Sequence, residues 1–226
     1  MSNDKNIAEK ILQMLSEKIP LPAWVFSSSD PFETLILTII SQNTSDINAK
    51  KAFENLSKRF AVTPKALASA EIEEIADCLR IAGLYRNKAR AIREVSSVIL
   101  EKFGGSLKPI LSMPLEDARK TLKALRGVGP KTADVLLLFS ANQPTVPVDT
   151  HVKRVSKRLG LAPVKGNYEV VRRSLQLLYK PDDYLKLHIL LILLGRKYCK
   201  AKNPACNHCP VSNLCQFARA KLLAEP

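Results

Sequence analysis

Four cysteines, Cys199, Cys206, Cys209 and Cys215, fall within seventeen residues near the C-terminus, with six, two and five residues between them. The surrounding stretch, Tyr198 to Cys215, is polar, irregular and carries two prolines. It has no apolar stripe of its own with which to fold, so something else must organise it. Four thiolates this compact are explained by one metal centre far more readily than by chance. Zinc sites usually show two short Cys pairs held apart by a longer spacer, and bacterial ferredoxins use gaps of two, two and three. Neither pattern matches. The spacing therefore calls for a metal and leaves its identity open.

Disulfides are the competing use of cysteine, and compartment decides between the two. The opening Met-Ser-Asn-Asp-Lys-Asn has no apolar core or cleavage site of a signal peptide. Apolar runs such as Ile189–Leu194 are far short of the ~18 residues a membrane span needs. No membrane association is expected, and a cytoplasmic location favours metal ligation over disulfides. Cys78, among Ile75, Ala76 and Leu79, is expected to be a small buried hydrophobe. Hydrophobic residues make up 46% of the 226 residues, enough to argue for a folded chain of one or two domains.

The net charge of +14 is unevenly spread. Residues 1–113 hold 15 Lys and Arg against 13 Asp and Glu, whereas residues 114–226 hold 20 against 8. The cysteine segment lies in the basic half. Such an excess suits a phosphate backbone, whose neutralisation supplies much of nucleic-acid affinity, although an inert basic surface would read the same way.

Helical periodicity runs through the whole chain. Ile7, Ile11, Leu12 and Leu15 form one stripe, Leu35 to Ile40 a core helix, and Ala52, Phe53, Leu56 and Phe60 another stripe. Helices are expected over 67–79, 89–103, 115–125, 130–141, 150–159, 167–178 and 182–198. Sustained alternation is absent, so the fold class is all-α with about ten helices and no strands.

Leu125-Arg126-Gly127-Val128-Gly129-Pro130-Lys131 joins two of these helices. Gly127 and Gly129 can take positive φ and admit another backbone, and Pro130 suits the first position of a helix. The hairpin N–H groups and the helix start behind them make a seat for a phosphate that reads no sequence; an ordinary helix–helix turn is the plainer alternative. Lys131 sits one residue into the second helix. A cation there meets the positive end of the helix dipole, which favours the neutral amine that a Schiff-base nucleophile must be. A solvated lysine on a phosphate is the other reading.

Asp149 precedes a helix that directs Val152, Val155 and Leu159 inward and Lys153, Arg154, Lys157 and Arg158 outward. It is suited to cap that helix, and a cap also holds a carboxylate in one direction for catalysis. His151 is expected to orient local backbone.

Together these segments resemble the endonuclease III family of helix-hairpin-helix DNA glycosylases. The resemblance rests on Gly127-Val128-Gly129-Pro130-Lys131-Thr132-Ala133, Val148-Asp149-Thr150-His151, the six-two-five cysteine spacing, Ser41-Gln42, Gly83-Leu84-Tyr85 and Leu194-Gly195-Arg196. These run in one order through nearly the whole chain. The resemblance implies two domains with a DNA cleft between them: a helical barrel over 23–140 holding the hairpin, and a cluster domain made of 1–22 and 141–226. It implies a 4Fe–4S cluster on Cys199, Cys206, Cys209 and Cys215 rather than zinc. Lys131 would attack the sugar C1′ of a flipped nucleotide, and Asp149 would steady positive charge on the sugar. Gln42 and Leu84 would fill the vacated stack; Arg126, Gly127, Val128, Gly129, Thr132, His151, Lys200 and Lys202 complete the expected DNA-binding set.

Two departures stand out. Arg126 occupies a place where many relatives have proline, adding a phosphate contact, and Pro130 removes one N–H donor. The implied activity is a bifunctional DNA glycosylase and AP lyase of base-excision repair. Its implied partner is duplex DNA carrying damaged bases, chiefly oxidised pyrimidines, or abasic sites. The protein is expected to be a monomer of a bacterial or archaeal cell, held at the nucleoid by DNA. A thymine or uracil mismatch glycosylase is disfavoured by the presence of Lys131. A non-catalytic DNA-binding module would leave Lys131 and Asp149 without a purpose.

Overall fold

The computed structural model describes residues 2–23 and 30–224. Among them the regular structure is entirely helical: α1 Ser2–Lys18, α2 Pro31–Ile40, α3 Asp46–Arg59, α4 Pro64–Ser69, α5 Ile72–Leu79, α6 Tyr85–Phe103, α7 Lys108–Leu111, α8 Leu115–Lys123, α9 Pro130–Ala141, α10 Thr150–Leu159, α11 Tyr168–Leu178, α12 Tyr184–Lys197 and α13 Gln216–Ala224. None of the described helices is long and apolar enough to cross a membrane. The chain divides into two compact units, Ser28–Gln143 on one hand and Met1–Ser27 with Pro144–Pro226 on the other.

Helix starts follow local chemistry. Asp30 accepts the N–H groups of Phe32 and Glu33 ahead of α2, Ser45 that of Asn48 ahead of α3, Thr63 that of Ala66 ahead of α4, and Asn167 that of Val170 ahead of α11. Each such cap contributes about 1 kcal/mol. The stretch expected as one helix over 67–79 is two. Ala70 and Glu71 take extended backbone, and α5 starts afresh behind them. The apolar spacing carries across that break, which is why periodicity alone misses it.

In the Ser28–Gln143 unit, α6 packs against α4 and α5, while α9 packs against α2 and α8. Ile36, Ile39 and Ile40 of α2, Ile92, Val95 and Ile99 of α6 and Leu136 of α9 are fully or almost fully buried in its core. At about 25 cal/mol per Å² of apolar surface, such side chains are what hold the hairpin's flanking helices in place. In the other unit, α10 lies against α11, α12 and α13, and α1 against α11 and α12. Of the α1 stripe, Ile11, Leu12 and Leu15 are buried and Ile7 is half-buried.

Candidate nucleic-acid interface and metal centre

The hairpin between α8 and α9 is closed by two tight backbone bonds, Leu125 N–H to Leu122 O (3.0 Å) and Val128 N–H to Leu125 O (3.1 Å). Gly127 has φ +78°, and a Cβ built on it would stand 2.9 Å from the Cβ of Ala91 in α6. Backbone conformation and close approach therefore both demand glycine there. Gly129 is extended, and Pro130 opens α9. The side chains of Val128 and Thr132 are buried and the Val128 N–H closes the turn on Leu125 O, so any part Thr132 takes at a phosphate falls to its backbone N–H. Lys131, second residue of α9, is half-buried.

Two further contacts fix this turn. Gln42, just past α2, donates through Nε2 to Gly127 O at 2.8 Å and to Thr132 Oγ1 at 3.4 Å. One turn beyond Lys131, Asp134 receives Arg119 of α8 in a forked pair, Nε to Oδ1 at 2.8 Å and Nη2 to Oδ2 at 3.2 Å. Asp134 is 0% exposed and Arg119 4%, so this pair clamps the two hairpin helices from inside the core. Arg126, expected as a freely presented phosphate contact, is instead paired with Glu94 of α6 at 2.6 Å. Both partners are about half-exposed, and a pair of that kind contributes ~1 kcal/mol or less.

Leu84 stands 58% exposed and lines an open cleft of about 200 Å³ together with Gln42, Lys88, Arg126 and Gly127. Its backbone is left-handed, φ +48° and ψ +26°.

In the second unit, Asp149 Oδ1 accepts the N–H of Val152 at 2.7 Å, the cap expected for α10. His151 is half-buried and its Nδ1 meets Arg154 Nη2 at 3.0 Å. Arg154 and Arg158 correct the sequence reading, which turned both outward. Arg154 donates Nε to Cys199 O (2.8 Å) and Nη2 to Gly195 O (3.1 Å), meeting carbonyls at the end of α12 that have no helical partner. Arg158 donates Nη1 to Lys200 O (2.7 Å) and to Cys199 Sγ (3.5 Å), and Nη2 to Ala201 O (3.1 Å). Its guanidinium also stacks 4.5 Å from the centroid of Phe217. Periodicity could not have revealed this, since both arginines lie on the polar face of α10. The signal lay in the i, i+4 spacing of two guanidinium groups facing a stretch poor in apolar residues. Lys200 and Lys202 are exposed on the loop so held.

The four cysteines carry no disulfide and border one small space, together with Arg158, Tyr198 and Phe217. Among the described residues no three His, Cys, Asp or Glu side chains are placed to hold a single metal ion; the thiols border a common space instead. An all-thiolate set around such a space fits an iron–sulfur cluster. Burial pushes the Cys209 thiol up to about 11 and the Cys215 thiol in the same direction, so loading must displace thiol protons. The bond from Arg158 and the turns at Cys206–His208 and Ser212–Leu214 preorder the ligands.

Comparison with known proteins places these features in context. Residues 36–181 match the model of the HhH-GPD superfamily of base excision DNA repair proteins, and residues 199–215 that of the iron–sulfur binding domain of endonuclease III. The chain is 34% identical to endonuclease III of Sulfolobus acidocaldarius, covering 94% of this chain and 96% of the relative. It is 36% identical to endonuclease III of Escherichia coli, with 92% and 94% covered. A solved structure of a trapped endonuclease III–DNA covalent intermediate superimposes with a TM-score of 0.85 at 31% identity, covering 96% of this chain and 98% of the other. A non-covalent endonuclease III–DNA complex gives 0.84 at 30% identity, covering 97% and 98%.

Proposed function

This chain belongs to the HhH-GPD superfamily of base excision DNA repair proteins, and on that premise we propose that Lys131 is its nucleophile and Asp149 its supporting carboxylate. The protein is a DNA glycosylase with AP lyase activity and binds a 4Fe–4S cluster. Its substrate is duplex DNA bearing oxidised pyrimidines or abasic sites, on which it acts as a monomer in the cytoplasm, held at the nucleoid by DNA.

The chemistry needs a nucleotide turned out of the helix. The lone pair of Lys131 Nζ attacks C1′, and the bond from C1′ to the base breaks with its electrons leaving on the base, which takes up a proton. The sugar ring opens to an imine between Nζ and C1′. Loss of a C2′ proton then expels the 3′ phosphate by β-elimination, and water releases the sugar from the lysine. Asp149 balances positive charge on the sugar and accepts the proton that Lys131 sheds on attack. Its cap bond to Val152 holds the carboxylate in one direction throughout.

The Gly127–Gly129 backbone and the first turn of α9 seat a phosphate. Arg126 exchanges Glu94 for DNA, which the weakness of their exposed pair permits. Leu84, apolar and exposed, enters the vacated stack as a wedge, and Gln42 gives up Gly127 O to enter beside it. The cluster, when bound to the four cysteines, cross-links the loop that carries Lys200 and Lys202 to phosphates. His151 orients Arg154 behind that loop.

The observation that carries this reading is a half-buried lysine in the first turn of α9, directly behind a hairpin tied to the protein core. The decisive test is hydride reduction with an abasic duplex. The native chain should be trapped as a covalent adduct, and Lys131→Gln should form none while still retarding the duplex. An adduct formed equally by Lys131→Gln would remove that lysine from the mechanism. Oxidised-pyrimidine preference is read from a panel of duplexes each carrying one defined lesion.

A further inference from the structure

Four non-glycine residues among those described have positive φ: Asn43, Leu84, Asn142 and Asn203. Three are asparagines, whose short amide tolerates the left-handed region. Leu84 is a leucine, for which that backbone is strained and persists only where neighbours over-determine it. Gly83 before it is also positive, at φ +65°. The chain thus takes a two-residue left-handed step between the 3₁₀ turn Arg80–Ala82 and α6. The turn's own closing bond, Gly83 N–H to Arg80 O, is long at 3.4 Å.

What brackets the step is a single residue. The backbone N–H of Lys88 bonds Leu84 O at 3.1 Å, on the far side of the step. The ammonium of the same residue donates to Ala82 O at 2.9 Å, on the near side. Lys88 is 4% exposed, and burial holds its pKa below the usual lysine value. The site is a costly one for a cation, desolvated and in the first turn of a helix where the dipole is positive. A methionine would fill the same space at no electrostatic cost. The ammonium is explained by the carbonyl it grips.

We infer that Lys88 is a positioning residue for catalysis: gripping Ala82 O with its side chain and Leu84 O with its backbone, it locks the left-handed Gly83–Leu84 step and aims the Leu84 side chain outward. The inference rests on the reading of Leu84 as the wedge. Lys88 touches no reacting atom; it acts through the direction and rigidity of Leu84, which must enter the stack as the nucleotide leaves it.

The test is a double-mutant cycle of Lys88→Met and Leu84→Ala, read as single-turnover base release at saturating enzyme, with duplex affinity and melting temperature measured alongside. Lys88→Met should slow release on the order of tenfold, change affinity for undamaged duplex little, and leave the melting temperature near that of the native chain. Amide exchange at Leu84 and Tyr85 should quicken in the same variant. Leu84→Ala should slow release at least as much, and adding Lys88→Met to it should change nothing further, because a residue acting only through Leu84 has no effect once Leu84 is gone. Additive slowing, or native release by Lys88→Met, overturns the positioning role while leaving the wedge intact. Native release by Leu84→Ala overturns the wedge reading itself. Should Lys88→Met melt early, Lys88→Gln supplies the same cycle with a neutral donor, and additivity overturns the proposal there as well.

Discussion

The hairpin of residues 125–131 and the cysteine loop of residues 199–215 are both irregular and both proposed to meet phosphate, yet they are held by different physics. The hairpin is fixed by the core beneath it. Val128 is buried, Gly127 lies against Ala91, and the helices on either side are clamped by Arg119 and Asp134. The cysteine loop has two 3₁₀ turns, and of its side chains only Val211 and Cys215 are buried. Its order comes from two arginines of α10 that satisfy backbone carbonyls, and the part proposed for the cluster is to cross-link it further. A turn rooted in a hydrophobic core keeps its form unaided. A turn rooted in polar contacts needs a cross-link.

Removing iron should therefore separate the two most sharply. Chelation after reduction or acidification is expected to release the loop over residues 199–215, seen as rapid amide exchange there, while exchange in α8 and α9 stays slow. Acid should assist release, since the Cys209 and Cys215 thiols, both held above the usual thiol value by desolvation, regain protons readily. Equal loosening of both regions would mean that the hairpin, too, depends on the metal.

Asp134→Ala attacks the hairpin's own clamp. Stripping the buried Arg119 of this carboxylate should cost about 3–5 kcal/mol, measured by denaturant unfolding, with iron content of the remaining folded protein unchanged. A loss below 1 kcal/mol would show that the clamp adds nothing to apolar packing. Asp149→Asn sharpens the comparison from the other side. Asparagine caps a helix as well as aspartate, so stability should move by less than about 0.5 kcal/mol, whereas base release should slow about 100-fold, or ~2.7 kcal/mol in the barrier. Near-native turnover would reduce Asp149 to a cap. The smallest effect is expected of Lys200→Ala with Lys202→Ala. Together they should lower the salt slope of duplex binding by about 2 with no change in iron content, and an unaltered slope would take the loop off the DNA backbone.

Local chemistry made most of the fold legible. The limits of α9 and α10 follow from Pro130 and Asp149 at their starts, and of α10 also from Gly160 at its end, because capping is decided by a few adjacent atoms. The two short 3₁₀ turns between the cysteines, α7 and α13 left no clear periodic mark, being too brief or too polar to show one.

The sequence alone determined which groups the chain possesses and how they are spaced: four thiols in a compact run, a glycine hairpin with a lysine behind it, and helices punctuated by their caps. Tertiary structure decided which distant partners those groups meet. Gln42 reaches Gly127 across 85 positions, Arg158 reaches Cys199 across 41, and Arg119 turns inward to Asp134. A polar side chain looks the same in sequence whether it faces water or a buried carbonyl. Only the packing of other helices around it settles which of the two it will find.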